Sequence, residues 1–304
     1  MKCKDCGTKL QKVSSNFDHE YSTMQKKIYD FFECESCGYI VINQMELNHL
    51  SEIYPSNYYS YSPEGHNWLY DVKFRIDQFK YRKILKRFEG RDLKAIDIGG
   101  GTGQQLSTLL KAYNGVFTKS IVVDLDPNSK KFANSNGHEF VNSRFEEYKS
   151  TEKSDVILAL NILEHVENPS DFLGGIRSNL SHDGIAILQT PNYKAIDYRI
   201  FRRTYWGGFH TPRHFYIYND KSLKNLVISA GLKVESQEFI PAGPFWAFSL
   251  ISLGRRRFNS TSIAPLYLSY FFAPLVICFS AFDFFRAYFK AKTSQQWLII
   301  SLKK

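Results

Sequence analysis

Residues 95–103, Ala-Ile-Asp-Ile-Gly-Gly-Gly-Thr-Gly, restrict the possible fold of this chain more than any other stretch. The apolar residues before the glycines predict a buried β-strand, and the amphipathic pattern of residues 104–112 predicts a helix directly after them. Glycine has no Cβ, so its backbone can approach a ligand closely. The segment therefore predicts a strand, a ligand-binding turn and a helix in succession.

Short apolar runs that favour β-structure alternate with helical patterns on both sides of this segment. The predicted strands are residues 94–98, 120–124, 138–141, 155–160, 184–190 and 233–240. This alternation predicts an α/β domain whose mostly parallel sheet is covered by helices on both faces. In such folds, ligands bind beyond the carboxyl ends of the strands.

The spacing of the glycines and the acidic residues around them indicate the ligand. Glycines stand at the first, third and fifth positions of the loop, whereas a dinucleotide fingerprint needs one at the sixth, where Gln104 stands. Asp97 attracts an ammonium group and repels a pyrophosphate, and Asp124, at the tip of the next strand, can accept both hydroxyls of a ribose. Asn161, at the end of a third strand, borders the same crevice. A ribose and an ammonium group together indicate S-adenosylmethionine.

The ordered set of these motifs resembles the class I methyltransferases. Their pattern is the Asp-x-Gly-x-Gly-x-Gly loop from Asp97, the acidic Asp124, and Leu-Glu-His-Val at residues 163–166. The resemblance covers about residues 93–240 and implies a Rossmann-like methyltransferase sheet. It also implies a cofactor site in which Gly99, Gly101 and Gly103 line the methionine part, Asp97 binds its amino group, Asp124 holds the ribose and Phe145 lies beside the adenine.

Three further features resemble a bacterial subgroup of that family: an N-terminal cysteine module, a Tyr-rich linker around residues 54–59, and Pro-Arg-His at residues 212–214. Many members of the subgroup are associated with surface polysaccharide or secondary-metabolite assembly. The resemblance implies O- or C-methylation of a small-molecule acceptor, such as a sugar or a lipid-linked glycan precursor.

Four of the five cysteines form two Cys-x-x-Cys-Gly pairs, Cys3 with Cys6 and Cys34 with Cys37. The first residues have no apolar stretch behind their positive charges, so we expect a cytoplasmic, reducing location. Four thiolates saturate a tetrahedral zinc ion, which predicts a structural site. The 27 residues between the pairs exceed the common spacing, and a redox pair is the alternative. Cys278, within an apolar run, is expected to be a small buried hydrophobe.

Methyl transfer to a poor nucleophile needs a base near the acceptor. The candidate bases are His165, His210 and His214, because the ordinary pKa of histidine suits the role. Two structural alternatives remain open: His165 orients a loop, or His214 caps a helix that starts near residue 220. Arg213 is a candidate for holding a phosphate or carboxylate of the acceptor.

The C-terminal region is apolar and basic. Twenty residues without a charge, 263–282, include Pro265 and Pro274, and residues 242–304 contain eight Lys or Arg against one acidic residue. Because residues 295–302 are expected to pair with 233–240 as the last two strands, both ends of the intervening insertion lie on one side of any membrane. We therefore predict helices at 245–253 and 263–285 that lie in or re-enter the cytoplasmic leaflet of a membrane, with their cations on anionic lipid. This places the protein peripherally at the inner membrane face. A helical cap on the body or on a dimer partner is the alternative.

The predicted organisation is a zinc-ribbon-like module (1–50), a Tyr-rich linker (51–67), an S-adenosylmethionine-binding domain (68–241), the helical insertion (242–292) and the last strand (293–304). The module has six Lys against seven acidic residues, so we expect no nucleic acid partner. Two alternative functions remain. A zinc-containing RNA methyltransferase is disfavoured because Asn-Ile-Leu-Glu replaces an Asn-Pro-Pro-Tyr-like motif at 161–164. A non-catalytic membrane scaffold is disfavoured by the intact cofactor residues.

Overall fold

The computed structural model describes residues 1–21, 27–55, 68–150, 152–256 and 272–303. Most of the predicted Tyr-rich linker, 56–67, lies outside these residues. Residues 263–271 of the predicted second insertion helix also lie outside them.

A seven-stranded sheet forms the larger part of the described structure. Its strands are β4 (Leu93–Ile98), β5 (Phe117–Asp124), β6 (Glu139–Asn142), β7 (Ser154–Leu160), β8 (Leu180–Pro191), β10 (Leu232–Ile240) and β11 (Gln295–Leu302). The order across the sheet is β10-β11-β8-β7-β4-β5-β6. The pairs among β4 to β8 are parallel, and β11 runs antiparallel to both of its neighbours. The predicted Rossmann-like methyltransferase sheet is confirmed.

The predicted last strand has the observed bounds, and its pairing with the strand before the insertion is also as predicted. Lys233 faces Ser301 and Ile240 faces Gln295 in this antiparallel pair. The strand predicted at 184–190 is longer in the structure, because β8 begins at Leu180. The core of this sheet is apolar on both faces, as expected for parallel strands covered by helices.

Helices connect the strands. They are α1 (Leu50–Ile53), α2 (Trp68–Leu85), α3 (Gln104–Ala112), α4 (Ser129–Ser135), α5 (Pro169–Asn179), α6 (Ile196–Phe201), α7 (Asp220–Ser229), α8 (Gly243–Arg256) and α9 (Ala273–Tyr288). The side chain of Asn168 caps α5, with proline at the first helical position. Asn219 caps α7 through a reciprocal box with Ser222. The interpretation of His214 as the cap of this helix is therefore wrong.

A second, four-stranded sheet contains the N-terminal strands β1 (Gln11–Asn16), β2 (Tyr29–Cys34) and β3 (Tyr39–Ile42). Its fourth strand, β9 (Tyr216–Tyr218), comes from the body and pairs antiparallel with β3. The side chains at the junction, including Ile40 and Ile217, are buried in the core that the two sheets share. The cysteine-bearing sheet is thus completed by a strand that lies more than 170 residues further along the chain.

A buried ion pair joins the same two regions. The guanidinium of Arg213, fully buried, donates to Asp18 over 2.9 Å and to the carbonyl of Ile53 over 2.6 Å. Asp18 is also fully buried. Because a charge removed from water needs a close partner, this pair ties the segment before β9 to the N-terminal region.

The helices of the insertion pack against each other around an acidic residue. The buried carboxylate of Asp283 on α9 accepts hydrogen bonds from the amide of Ala242, the indole of Trp246 and the guanidinium of Arg286. The ring of Trp246 stacks on Phe279 at 4.8 Å. The opposite side of α9 is open, and its exposed residues include Phe282, Phe284, Phe285 and Tyr288. Cys278 is exposed as well, so its predicted burial is wrong.

Among the described helices, none combines the length and the apolar character that a membrane crossing requires.

The Arg213–Asp18 pair makes the first testable prediction. Asp18→Asn removes the carboxylate nearest to the buried guanidinium, so the free energy of unfolding should fall by more than about 3 kcal/mol. The matched control is Asp30→Asn, which removes a partly exposed pair with Lys12 and should cost less than about 1 kcal/mol. Urea denaturation measures both. Equal losses in the two variants would contradict the role assigned to the buried pair.

Candidate functional site

The glycine loop between β4 and α3 has the backbone conformation that its sequence requires. Gly99, Gly101 and Gly103 have φ angles of +65°, +51° and +76°, in the left-handed region that side chains rarely adopt. A Cβ on Gly99 would lie 2.8 Å from the side chain of Ile162, and one on Gly100 would lie 2.5 Å from the Asp97 carboxyl carbon. The loop is therefore closely packed, with no room for side chains at these positions.

Two carboxyl groups flank this loop. Asp97, near the end of β4, is buried, and one of its carboxyl oxygens has no hydrogen-bond partner in the part of the chain that the structure describes. Burial, with a contribution from the charge of Asp124, raises the pKa of Asp97 to about 8. Asp124, at the end of β5, accepts hydrogen bonds from the amides of Gly101 and Asp126, each over 2.8 Å. An incoming ammonium group would provide Asp97 with the charge partner that it lacks within the described chain.

The other two predicted cofactor residues lie in different surroundings. Asn161 directly follows β7 and has a positive φ of 54°. Its side-chain oxygen accepts a hydrogen bond from Gln295 over 3.0 Å. Phe145 is buried, with its ring 5.5 Å from that of Phe172. Packing against α5 accounts for an aromatic residue at position 145 without a ligand. The place of Phe145 beside an adenine stays a prediction.

The structure brings the three candidate histidines into one cluster. The ring centroid of His214 lies 4.7 Å from that of His165 and 4.9 Å from that of His210. His165 lies in the loop after β7, whereas the other two histidines lie in the segment before β9. Burial lowers the pKa of each of the three well below its usual range, so all three rings are neutral near pH 7.

Contacts at Nδ1 orient the rings of His165 and His214. His165 Nδ1 lies 3.0 Å from the carbonyl oxygen of Arg213 and 2.9 Å from the hydroxyl of Tyr54. His214 Nδ1 lies 2.8 Å from the carbonyl oxygen of Gly208. A carbonyl can only accept, so both rings carry their proton on Nδ1. The idea that His165 orients a loop is consistent with its contact to Arg213.

Two glutamates that the histidine analysis did not single out complete the cluster. Glu20 contacts Nδ1 of His210 through a short hydrogen bond, and Glu164 lies 3.9 Å from Nε2 of His214. Burial raises the pKa of each glutamate to about 8. Glu164 adjoins His165 within the Leu-Glu-His-Val motif, so its proximity could have been predicted. Glu20 carries no sequence signal, because it lies 190 residues from His210.

A small pocket, with room for about one water molecule, lies beside His210 and Glu20. Its walls are largely aromatic and include Phe17, Tyr205 and Trp206. Aromatic faces bury the apolar faces of sugars and other ring systems, and polar groups at the rim orient them. The residues of this pocket are therefore candidates for contact with an acceptor at one side of the histidine cluster. Arg213, by contrast, donates to Asp18 and to backbone carbonyls.

The four module cysteines lie together. The sulfur of Cys3 is 3.8 Å from that of Cys37, and the sulfur of Cys6 is 3.6 Å from that of Cys34. Sulfurs on one tetrahedral zinc ion, with bonds of about 2.3 Å, are separated by about 3.8 Å. Each knuckle turns at a glycine of positive φ, Gly7 or Gly38. These two separations match those of ligands on one tetrahedral ion, and the four sulfurs all lie within 4.8 Å of one another.

Comparison with known families gives a match to a methyltransferase-domain family model over residues 74–237, more than half of the chain.

Curated relatives share this region. A ubiquinone biosynthesis O-methyltransferase of Rickettsia conorii is 30% identical over 172 residues, which cover 52% of this chain. The protein of the same description from Rickettsia bellii is 24% identical over 141 residues, 42% of this chain. The matches span 58% of the length of each relative.

Among solved structures, an S-adenosylmethionine-dependent methyltransferase from Archaeoglobus fulgidus is similar, with 19% identity and a TM-score of 0.47. The match covers 78% of this chain and 99% of that one.

The raised pKa of Asp97 predicts how cofactor binding depends on pH. An ammonium ligand favours the ionised carboxylate, so binding below pH 8 releases a proton, and the affinity for S-adenosylhomocysteine should rise close to tenfold per pH unit from 6 to 7. Isothermal titration calorimetry at several pH values measures this slope. Asp97→Asn should bind more weakly and lose most of the slope, whereas the exposed control Asp92→Asn should keep it. An unchanged slope in Asp97→Asn would contradict the assignment.

Proposed function

Because the chain belongs to the class I S-adenosylmethionine-dependent methyltransferase family, we propose that it methylates a small-molecule acceptor, a sugar or a lipid-linked glycan precursor, on oxygen or carbon. The observation that carries the proposal is the closely packed glycine loop between the carboxyls of Asp97 and Asp124. S-adenosylmethionine supplies the methyl group as a sulfonium. The protein then has to align donor and acceptor and remove one proton.

The two carboxyls match the two polar ends of the donor. In the proposal, Asp97 binds the amino group of the methionine part, and Asp124 accepts the ribose hydroxyls. Asp124 is held for this task by two backbone amides. Asn161 and Phe145 are proposed to complete the site beside the sulfonium and the adenine, respectively.

For the acceptor side, we propose His210 as the base, with Glu20 as the residue that positions it. Both line the aromatic pocket, and the contact of Glu20 with Nδ1 directs Nε2 away from the carboxyl group. The pair gains its proton-accepting form once Glu20 is ionised. Nδ1 then carries the proton of the neutral ring, and the lone pair that accepts a proton is on Nε2. With the pKa of Glu20 raised to about 8, catalysis is expected to increase with pH up to that value.

The nature of the acceptor rests on the pocket and on the relatives. Aromatic walls suit the apolar face of a pyranose or another ring. The relatives named for ubiquinone biosynthesis are O-methyltransferases, which favours transfer to oxygen. An RNA acceptor is disfavoured by the charge of the N-terminal module, six Lys against seven acidic residues.

Two variants separate donor binding from catalysis. Asp124→Ala removes the ribose acceptor and should weaken S-adenosylhomocysteine binding at least tenfold, about 1.4 kcal/mol. His210→Gln should leave that binding within twofold and lower kcat about 10²- to 10⁴-fold. Calorimetry measures the first effect. Transfer of labelled methyl groups to a panel of nucleotide-linked and lipid-linked sugars measures the second. Binding that is unaffected in Asp124→Ala would overturn the proposed donor site.

We further propose that the module cysteines hold one structural zinc ion. Four thiolates leave no open coordination position, so the ion would fix the two knuckles rather than take part in chemistry. Its place in the fold supports this role, because the module sheet is small and is completed only by β9. The ion would therefore stabilise the surface on which the segment carrying His210 and His214 packs.

Cobalt substitution tests the zinc proposal. Cobalt bound by thiolates shows an intense sulfur-to-metal charge-transfer absorption, which the wild-type chain should display and Cys34→Ser should largely lose. Loss of the ion should also lower the Tm, because metal binding contributes folding free energy. Cys278→Ser, which changes an exposed cysteine outside the cluster, is the matched control. An identical charge-transfer band in Cys34→Ser would rule the site out.

A peripheral membrane contact by the α8–α9 insertion is our third proposal. The open side of α9 exposes Phe284, Phe285 and Tyr288, and Lys290 and Lys292 follow it in the sequence. An apolar helix face beside cations suits the boundary of an anionic bilayer. Such a contact would bring the acceptor pocket close to lipid-linked substrates, since α8 contributes Phe248 to that pocket.

Vesicle co-sedimentation tests the contact. The double variant Phe284→Asp/Phe285→Asp should bind mixed phosphatidylcholine and phosphatidylglycerol vesicles at least tenfold more weakly. It replaces two aromatic side chains that would be buried in the bilayer by two negative charges. The control is Ile76→Asp/Phe79→Asp, which changes two exposed residues of α2 and should bind like the wild type. Equal binding of both double variants would refute the proposal.

A further inference from the structure

The histidine cluster contains a second set of possible metal ligands, separate from the cysteines. Glu164, His165 and His214 each offer one ligand atom, and these atoms lie within 4.8 Å of one another. Glu164 and His214 are buried, and His165 is half-buried. The Glu164 Oε1 to His214 Nε2 distance is 3.9 Å, within the separation of about 3 to 4.2 Å expected for two ligands on one ion with bonds of about 2.1 Å.

All three residues are oriented by the outer contacts that metal ligands usually have. His165 donates from Nδ1 to the carbonyl oxygen of Arg213, and His214 donates from Nδ1 to that of Gly208. Glu164 accepts a hydrogen bond through Oε2 from the hydroxyl of Thr190 over 2.9 Å. In each residue, the contact is made by the polar atom that would not bind the metal. It fixes the orientation of the side chain and, for a histidine, its tautomer. They leave Nε2 of both rings and Oε1 of the glutamate with lone pairs available.

No group among the described residues satisfies these three lone pairs together. Oε1 of Glu164 is buried and has no hydrogen-bond partner. A proton on this oxygen cannot bridge 3.9 Å to His214. A water molecule has two hydrogens, so it satisfies both rings and Glu164 only while Glu164 keeps its proton. A cation with several open coordination positions satisfies both rings and the ionised carboxylate, which is the form that binds metal.

We propose that Glu164, His165 and His214 bind one divalent first-row transition-metal ion, such as Zn²⁺, Fe²⁺ or Co²⁺. Two imidazoles and one carboxylate are the donor set of many such sites, whereas Mg²⁺ and Ca²⁺ prefer oxygen alone. Three protein ligands leave at least one position for water or an acceptor oxygen. The role of the ion in holding that oxygen rests on the proposed methyl transfer. The binding of the ion to these three residues does not.

The position of the ligands supports such a role. Glu164 and His165 lie two and three residues after Ile162. The side chain of Ile162 packs against Gly99 of the glycine loop. His214 neighbours His210, which lines the acceptor pocket. The ligand set thus connects the loop after β7 with the segment before β9. Metal binding would fix the relative position of the donor side and the acceptor side.

Titration of the metal-free full-length chain with Co²⁺ under reducing conditions tests the proposal. We expect two equivalents to bind: one with sulfur-to-metal charge-transfer absorption, from the cysteines, and one that adds only visible ligand-field bands. Glu164→Gln and His214→Gln should each lose the second equivalent, or bind it at least 10²-fold more weakly, and keep the first. His182→Gln, which changes an exposed histidine, should bind both.

A wild-type chain that binds only the thiolate-coordinated equivalent would overturn the proposal, even if the variants fail to fold. A second equivalent retained in both Glu164→Gln and His214→Gln would do so too. Titration of the same samples with S-adenosylhomocysteine separates this outcome from failure of the proposed function. If the chain binds S-adenosylhomocysteine but no second ion, only the metal-site proposal is contradicted. If it binds the second ion but no S-adenosylhomocysteine, only the methyltransferase proposal is contradicted.

Discussion

A carboxyl group that is buried without a full set of partners is the constraint around which the donor site is organised. Asp97 lies one residue before the end of a central strand, and closely packed glycines follow it from position 99. One of its carboxyl oxygens has no hydrogen-bond partner among the described residues. Burying such a group is unfavourable unless a ligand compensates it. The raised pKa of Asp97 is the direct expression of that cost. A cationic amino acid ligand removes the cost, which connects the conformation of the loop to the choice of S-adenosylmethionine.

The acceptor side depends on the joining of the two sheets. The segment before β9 carries His210 and His214, and β9 itself pairs with β3 of the cysteine-bearing sheet. Arg213, between these histidines, is anchored by Asp18 and by the carbonyl of Ile53. The N-terminal region therefore determines where the histidines lie, and Glu20 from the same region contacts one of them. This arrangement gives the module a role in positioning the histidine cluster, independent of the zinc ion proposed for its cysteines.

The elements that were predictable from the sequence are those with a strong local pattern. Helix 104–112 and strand 295–302 have the observed bounds, because a glycine loop precedes the first and a continuous apolar run defines the second. Strand β9 has three residues and depends on a partner far away in the sequence. The contacts of Arg213 with Asp18 and of His210 with Glu20 span more than 180 residues, so no local spacing indicates them. Hydropathy also does not predict which side chains of α9 are buried, because Asp283 is buried and Phe285 is exposed. The buried carboxylate is stabilised by hydrogen bonds that Ala242 and Trp246 donate to it.

The structure of the complex with S-adenosylhomocysteine is the most direct measurement of the central claim. The account predicts the ligand across the carboxyl ends of β4 and β5, with its amino nitrogen within hydrogen-bond distance of Asp97 and a ribose hydroxyl on Asp124. A nucleoside bound away from the glycine loop, or one whose amino group contacts a residue other than Asp97, would contradict it.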